Sequence, residues 1–254
     1  MGSSAARPQV PNPAPGARVF ADRRQAFLGG AADALRMPIY VVFGSMLGFG
    51  SLAQDLGIGL GVSVVTTATL WGLPGQVAFV ELFAVGAPVL AIALASSMAN
   101  LRFLPMSLGM MPLFRGDRAA WRWRYGLVAM MSVNTWALTM QHGPAMPAEQ
   151  RVAYFTGLSA VCMTTGVVAT ALGHHLAGTL PYFVTVSLIF LNPVYFTFLF
   201  ATVRQRSWVL AIVFGAVLGP VIHLISPEWG LPFCGAIAGT AAYLIDRRMG
   251  GGDG

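Results

Sequence analysis

Five polar side chains interrupt otherwise apolar sequence where chemistry could follow: Asp33, Gln76, Glu81, Asn100 and Arg102. An ionisable or amide group inside a membrane-length apolar stretch is costly to bury, so each is a candidate for binding or proton movement. Arg102 follows Asn100 in ASSMANLRFLPMSLGMM, and its guanidinium matches a substrate carboxylate in shape and charge. An internal acid, Glu81 or Asp33, is its competing partner. Gln76 lies just beyond Pro74 and Gly75, where freed backbone could bind a polar solute beside the side-chain amide. Alternatively, the amide satisfies that freed backbone itself. Glu81 comes five residues later, about 140° around a regular helix from Gln76. It could carry a proton during a cycle, although an ion pair or an interfacial position is favoured. Asp33 and Arg36 share a helix face, which fits an intrahelical pair at a cytoplasmic end. Coupling to protons would rest on Asp33 and Glu81.

Such residues need elements that hold them away from water, and the composition supplies little else. Of 254 residues, 56% are hydrophobic and 9% charged, with mean hydropathy +0.68, against about 25% charged in a soluble domain. The expectation is an all-α polytopic membrane protein in a lipid bilayer, with about 6–8 hydrophobic helices. Its parts would be a disordered cytoplasmic arm over 1–25, one transmembrane transport domain over 26–248 and a flexible tail over 249–254. The 15 basic residues are all Arg and lie between apolar stretches, which sets orientation and does not suggest nucleic-acid binding. Cys162 and Cys234 have no CxxC spacing and no adjacent His, so neither a disulfide framework, a metal site nor a cofactor is expected. The isolated His residues and the many Met and aromatic side chains read as interfacial and packing residues.

Eight apolar segments can be marked: Ala26 to Ala53, Ile58 to Val85, Ala87 to Leu113, Tyr125 to Met140, Val152 to Leu172, Thr179 to Thr202, Trp208 to Ile225 and Trp229 to Ile245. Arg clusters occur at 18–24, 115–124, 204–206 and 247–248, and the positive-inside rule places all of them in the cytoplasm. Eight simple crossings would put the 115–124 cluster outside. The second segment, with Gly72, Pro74 and Gly75 at its middle, is the natural place for a broken helix that dips in and returns. The fifth segment, TTGVVATALGHH, is expected to fail to cross for the same reason. Thr66/Thr67 and Thr164/Thr165, followed by Asn100 and Asn192, suggest a weak internal duplication; chance recurrence is the equal alternative.

The stretch from Gln76 to Gly116 resembles the large subunit of branched-chain amino acid exporters, the AzlC type. The motif match is Asn100, Leu101 and Arg102 with Gln76 upstream; GSLAQDLGIG from Gly50 to Gly59 is similar to the family's turn after the first segment. The likeness extends over Ala26 to Arg248. It implies export of small neutral, hydrophobic amino acids across a bacterial inner membrane, with Gln76, Asn100 and Arg102 at the substrate. A small AzlD-type membrane subunit is the implied partner, and a homo-oligomer is open. Three positions depart from the family pattern. Gly44, Ser45 and Met46 replace Pro-Phe-Gly; Gly72 to Gly75 read GLPG before Gln76; and Val133 and Asn134 stand where an acidic pair is expected.

Two other functions compete. GLSA at Gly157 to Ala160, with His223, superficially suggests an intramembrane Ser/His hydrolase, and the missing acidic pair suggests a non-transporting scaffold or regulatory subunit. No GxxxxGK[ST] motif is present, so the chain does not itself carry a nucleotide-hydrolysing loop. No catalytic residue is expected.

Overall fold

The computed structural model describes residues 20–115, 117–201, 206–225 and 230–248. Among these are twelve α-helices and no strand: α1 Arg23–Ala34, α2 Met37–Asp55, α3 Leu60–Leu70, α4 Leu73–Ala84, α5 Val89–Ala99, α6 Phe103–Met110, α7 Arg118–Ala129, α8 Val133–His142, α9 Ala148–Leu176, α10 Tyr182–Ala201, α11 Arg206–Ile225 and α12 Gly230–Arg248. The all-α expectation holds. The count exceeds 6–8 because each of the first four apolar segments is split in two.

Each split has a local cause. Pro38 stands in the first turn of α2 and Pro74 in that of α4, where a missing N–H costs nothing but the preceding helix cannot continue. The α1/α2 pair bends by 59° and the α5/α6 pair by 48°. Between α7 and α8, Ser132 and Thr135 cap one another reciprocally, which stabilises a new helix start without Pro or Gly.

Among the described residues, the one helix long and apolar enough to cross a bilayer by itself is α9. Its 29 residues span about 43 Å, against a hydrocarbon core of about 30 Å. The sequence expectation that this fifth segment fails to cross is therefore wrong. Nothing in it breaks the ladder: it contains no Pro, and its glycines serve packing. A Cβ at Gly157 would sit 2.8 Å from the Phe27 carbonyl carbon of α1, and one at Gly173 2.7 Å from that of Leu47 in α2. Small residues of this kind let membrane helices approach backbone to backbone.

Because α9 is continuous, it serves as a ruler for the rest. At its start, Gln150 exchanges two hydrogen bonds with the Phe20 backbone, and Arg151 donates to the Leu113 and Met146 carbonyls at 3.0 and 2.9 Å. Arg23 meets Asp117 at 3.3 Å nearby. At its far end, His174 Nε2 lies 2.9 Å from the Ile58 carbonyl. The 23 residues from Arg151 to His174 advance about 35 Å, a full hydrocarbon thickness.

Two consequences follow for the path. The chain is at the His174 end at Ile58 and at the Arg151 end by Leu113, so α3–α6 make one net crossing. Of the two broken pairs α3/α4 and α5/α6, one crosses and the other turns back. The chain is still at the Arg151 end at Asp117 and again at Met146, so α7 and α8 go in and return. Their 12 and 10 residues reach about 18 and 15 Å, half the thickness. The fourth segment, not the fifth, is thus the second one that fails to cross.

Beyond α9, α10 packs along α2, with Thr185 bonded to Ser51 at 3.1 Å and Leu191 lying against Gly44. It therefore runs back from the His174 end. The first two Arg clusters come together at one end, as the charge distribution requires. Large apolar side chains face outward, such as Val89 at 83% and Leu224 at 86% exposure, a surface suited to lipid.

Candidate functional site

Three helix breaks meet inside the bundle. The α3/α4 break presents Trp71, Gly72 and Leu73; the α5/α6 break presents Arg102 and Phe103; the α7/α8 break presents Ser132, Val133 and Asn134. With Val42, Ser45 and Met46 of α2, these line one small cavity of about 30 Å³. Trp71 packs on Gly166 of α9, where a Cβ would come within 2.7 Å of the indole ring. Gly166 is eight residues before His174, about 12 Å along the axis, so the breaks lie well inside both ends of α9.

Glycine makes the first junction. Gly72 and Gly75 enclose the Asn100 amide, and a Cβ at either would press on it, to 2.9 Å from Cγ at Gly72 and 2.7 Å at Gly75. Asn100 Nδ2 makes a long 3.4 Å bond to the Leu70 carbonyl at the end of α3. The amide thereby ties the α5/α6 break to the α3/α4 break.

A second, larger chamber of about 360 Å³ adjoins the first through Arg102 and is open to the outside of the bundle, with Pro74, Glu81, Phe190 and Pro193 exposed at its mouth. Its walls are Leu73, Pro74, Val77 and Ala78 of α4 and Ile189, Phe190 and Pro193 of α10, with Glu81 and Arg102 as its charged groups. Among the described residues neither Glu81 nor Arg102 forms an ion pair. The Arg102 guanidinium lies 5.3 Å from the centre of the Phe103 ring, and its buried Nε has no hydrogen-bond partner. A cation and an anion thus border one apolar chamber without neutralising each other.

The residues singled out by sequence divide into three groups. Glu81 and Arg102 line the same chamber. Gln76 is wholly buried with both amide atoms unpartnered, opens onto neither cavity, and, as the angular argument requires, points elsewhere than Glu81. Asn100 braces the breaks. Asp33 lies on α1, 5% exposed; it accepts a 2.8 Å hydrogen bond from the buried Tyr154 hydroxyl of α9 and is 3.8 Å from Arg36. The Asp33–Arg36 pair therefore forms, but not within one helix as the spacing suggested: Arg36 stands in the α1/α2 break, and the shorter contact of Asp33 is with α9.

Trp71, Asn134 and the α10 wall were not selected by sequence as site residues. Asn134 stands out in the sequence only as a departure from an acidic pair, and Trp71 only by its place next to Gly72. Ser159, of the hydrolase reading, is fully buried and its hydroxyl has no hydrogen-bond partner, so among the described residues none is placed to act as its base. The side chain of His223 and those of Asn192 and Arg206 lie outside the described residues.

Broken half-helices meeting at a half-buried cation in an apolar helical bundle fit a polytopic membrane protein of the transporter kind. Residues 37–180, more than half of the chain, match the family model of the AzlC protein, and the chain belongs to that family, as a membrane transport component. The matched region runs from the start of α2 past the end of α9 and contains the whole lining of the small cavity. In the larger one, only the α10 wall lies outside it. No curated protein and no solved structure matches the chain.

Proposed function

We propose that this protein exports small neutral amino acids, branched-chain ones foremost, across the inner membrane. One observation carries the reading: the larger chamber places a guanidinium and a carboxylate, mutually unpaired, at the edge of otherwise apolar walls. A neutral amino acid is complementary to that arrangement. Its carboxylate meets Arg102 and its ammonium meets Glu81, while the branched side chain rests on Val77, Ile189 and Phe190. A chamber of 360 Å³ lies within the range of about 300–1,000 Å³ for small-molecule sites.

Movement follows from the same parts. The unwound breaks are the hinges, and half-helices α4, α6 and α8 are short enough to rock about them. Asn100 keeps the first two breaks in register. The unpartnered Gln76 amide supplies hydrogen bonds in a state where α4 has turned. Glu81, exposed to the chamber, and Asp33, buried against Tyr154, are the proton carriers in coupling to the gradient. The Arg-rich end, with Arg23, Arg115, Arg122 and Arg124, faces the cytoplasm with the amino terminus. A small AzlD-type subunit completes the transporter.

Reconstituted vesicles loaded with labelled leucine, valine, methionine or a charged control test the reading. Efflux of the branched-chain members above empty vesicles, abolished in Arg102→Gln, is expected. Efflux indistinguishable from empty vesicles across the panel, with and without a co-expressed small subunit, would refute it.

A further inference from the structure

The small cavity behind Arg102 has its own chemistry. Trp71 is 5% exposed with its indole N–H unpartnered, and the Arg102 Nε–H is likewise buried without a partner. Both are donors only. Asn134 is 4% exposed, and its Oδ1 has no partner; an amide turned over would present its N–H₂ instead. The hydroxyls are already engaged, Ser45 with the Val41 carbonyl at 2.7 Å and Ser132 with the first turn of α8. No Asp or Glu lines the cavity.

The backbone adds to the same sign. α4 begins at this cavity without a side-chain cap, whereas the first N–H groups of α6, on Phe103 and Leu104, already donate to the Asn100 and Leu101 carbonyls. Helix starts carry partial positive charge from their free N–H groups. Arg102 is half-buried, with its Nε enclosed and unpartnered; a partly desolvated cation without a counter-ion is costly, and here it sits among further donors. A volume of 30 Å³ exceeds the roughly 10–15 Å³ needed for a water-sized occupant.

We propose that this cavity binds one small monovalent anionic group, held by Arg102, Trp71 and Asn134 at the start of α4. The group is either a free halide or the carboxylate of a cargo molecule reaching past Arg102 from the larger chamber. The halide case goes beyond the transport reading and needs no amino acid; the carboxylate case deepens that reading and rests on it.

The test is thermal unfolding of the full-length chain in detergent, with gluconate exchanged for chloride at constant ionic strength and, separately, with 4-methylpentanoate added. A saturable rise in Tm of about 3 °C is expected, the size that a ligand near ten times its Kd gives a chain of this length. Asn134→Asp places a carboxylate beside Arg102 and should remove the response while leaving the chain folded; Arg102→Gln should remove it too. A chloride response that 4-methylpentanoate does not weaken assigns the site to free halide. A 4-methylpentanoate response that chloride competes away, or that occurs without any chloride response, assigns it to the carboxylate. A Tm indifferent to both, or an equal response in Asn134→Asp, overturns the proposal. A chloride response alongside absent amino acid efflux would defeat the cargo and leave the site standing.

Discussion

Replacing Gly75 by Ala tests whether the Asn100 amide truly locks two helix breaks together. The new methyl would sit 2.7 Å from Asn100 Cγ and closer still to Nδ2, well inside van der Waals contact. Asn100 would have to swing out, giving up its bond to the Leu70 carbonyl. Overpacking of this kind costs about 1–3 kcal/mol, while exchanging Gly for Ala in a helix returns up to about 1 kcal/mol. The clash therefore wins by up to about 2 kcal/mol, and Tm should fall by up to roughly 4 °C. Gly109→Ala in α6, where nothing lies within 4 Å of the added Cβ, is the control and should leave Tm unchanged or slightly raised. The decisive arm is the double variant Gly75→Ala with Asn100→Ala. If the amide is the obstacle, its removal makes room for the methyl, and the two losses should be less than additive by about 1 kcal/mol or more. Additive losses in fluorescence-detected unfolding would refute the bracing role.

Other perturbations probe the frame around the site. Gly157→Ala should lower Tm more than Gly75→Ala, because its Cβ meets the backbone of Phe27, which cannot rotate away as a side chain can; an equal or smaller loss would contradict the close α1/α9 approach. Tyr154→Phe removes the 2.8 Å bond to Asp33, a bond to an acid worth about 1.5–3 kcal/mol. Its thermal stability should drop accordingly, and stability equal to the parent would show that Tyr154 is dispensable to that acid.

Much of this architecture was readable where the chain carries its own breaker. Pro74 between two glycines marked the α3/α4 break, and Pro105 stands just past the α5/α6 break. The α7/α8 break has neither. It depends on the Ser132–Thr135 capping box, which looks like ordinary polar sequence until the helix is seen to start there. The error about which later segment turns back has the same origin. Charge counting requires an even correction but does not say where: the Thr164/Thr165 pair of α9 breaks nothing, whereas the Ser132 cap does. The chamber was half legible. Glu81 and Arg102 stand out as charges in apolar sequence, whereas Ile189, Phe190 and Pro193 come from α10, about ninety residues downstream of Arg102. No local pattern announces such a wall. Gln76 shows the reverse case, a conspicuous polar residue that the helix turns away from the chamber.

The central claim is that Arg102 and Glu81 together hold a zwitterion. Its most direct measurement is calorimetric titration of leucine into the purified protein and into Arg102→Gln and Glu81→Gln. Each variant should lose roughly 10- to 150-fold in affinity, the worth of one charge-assisted contact, with leucinol insensitive to the Arg102 change and 4-methylpentanoate insensitive to the Glu81 change. Leucine binding with the same Kd in the parent and both variants would contradict the account.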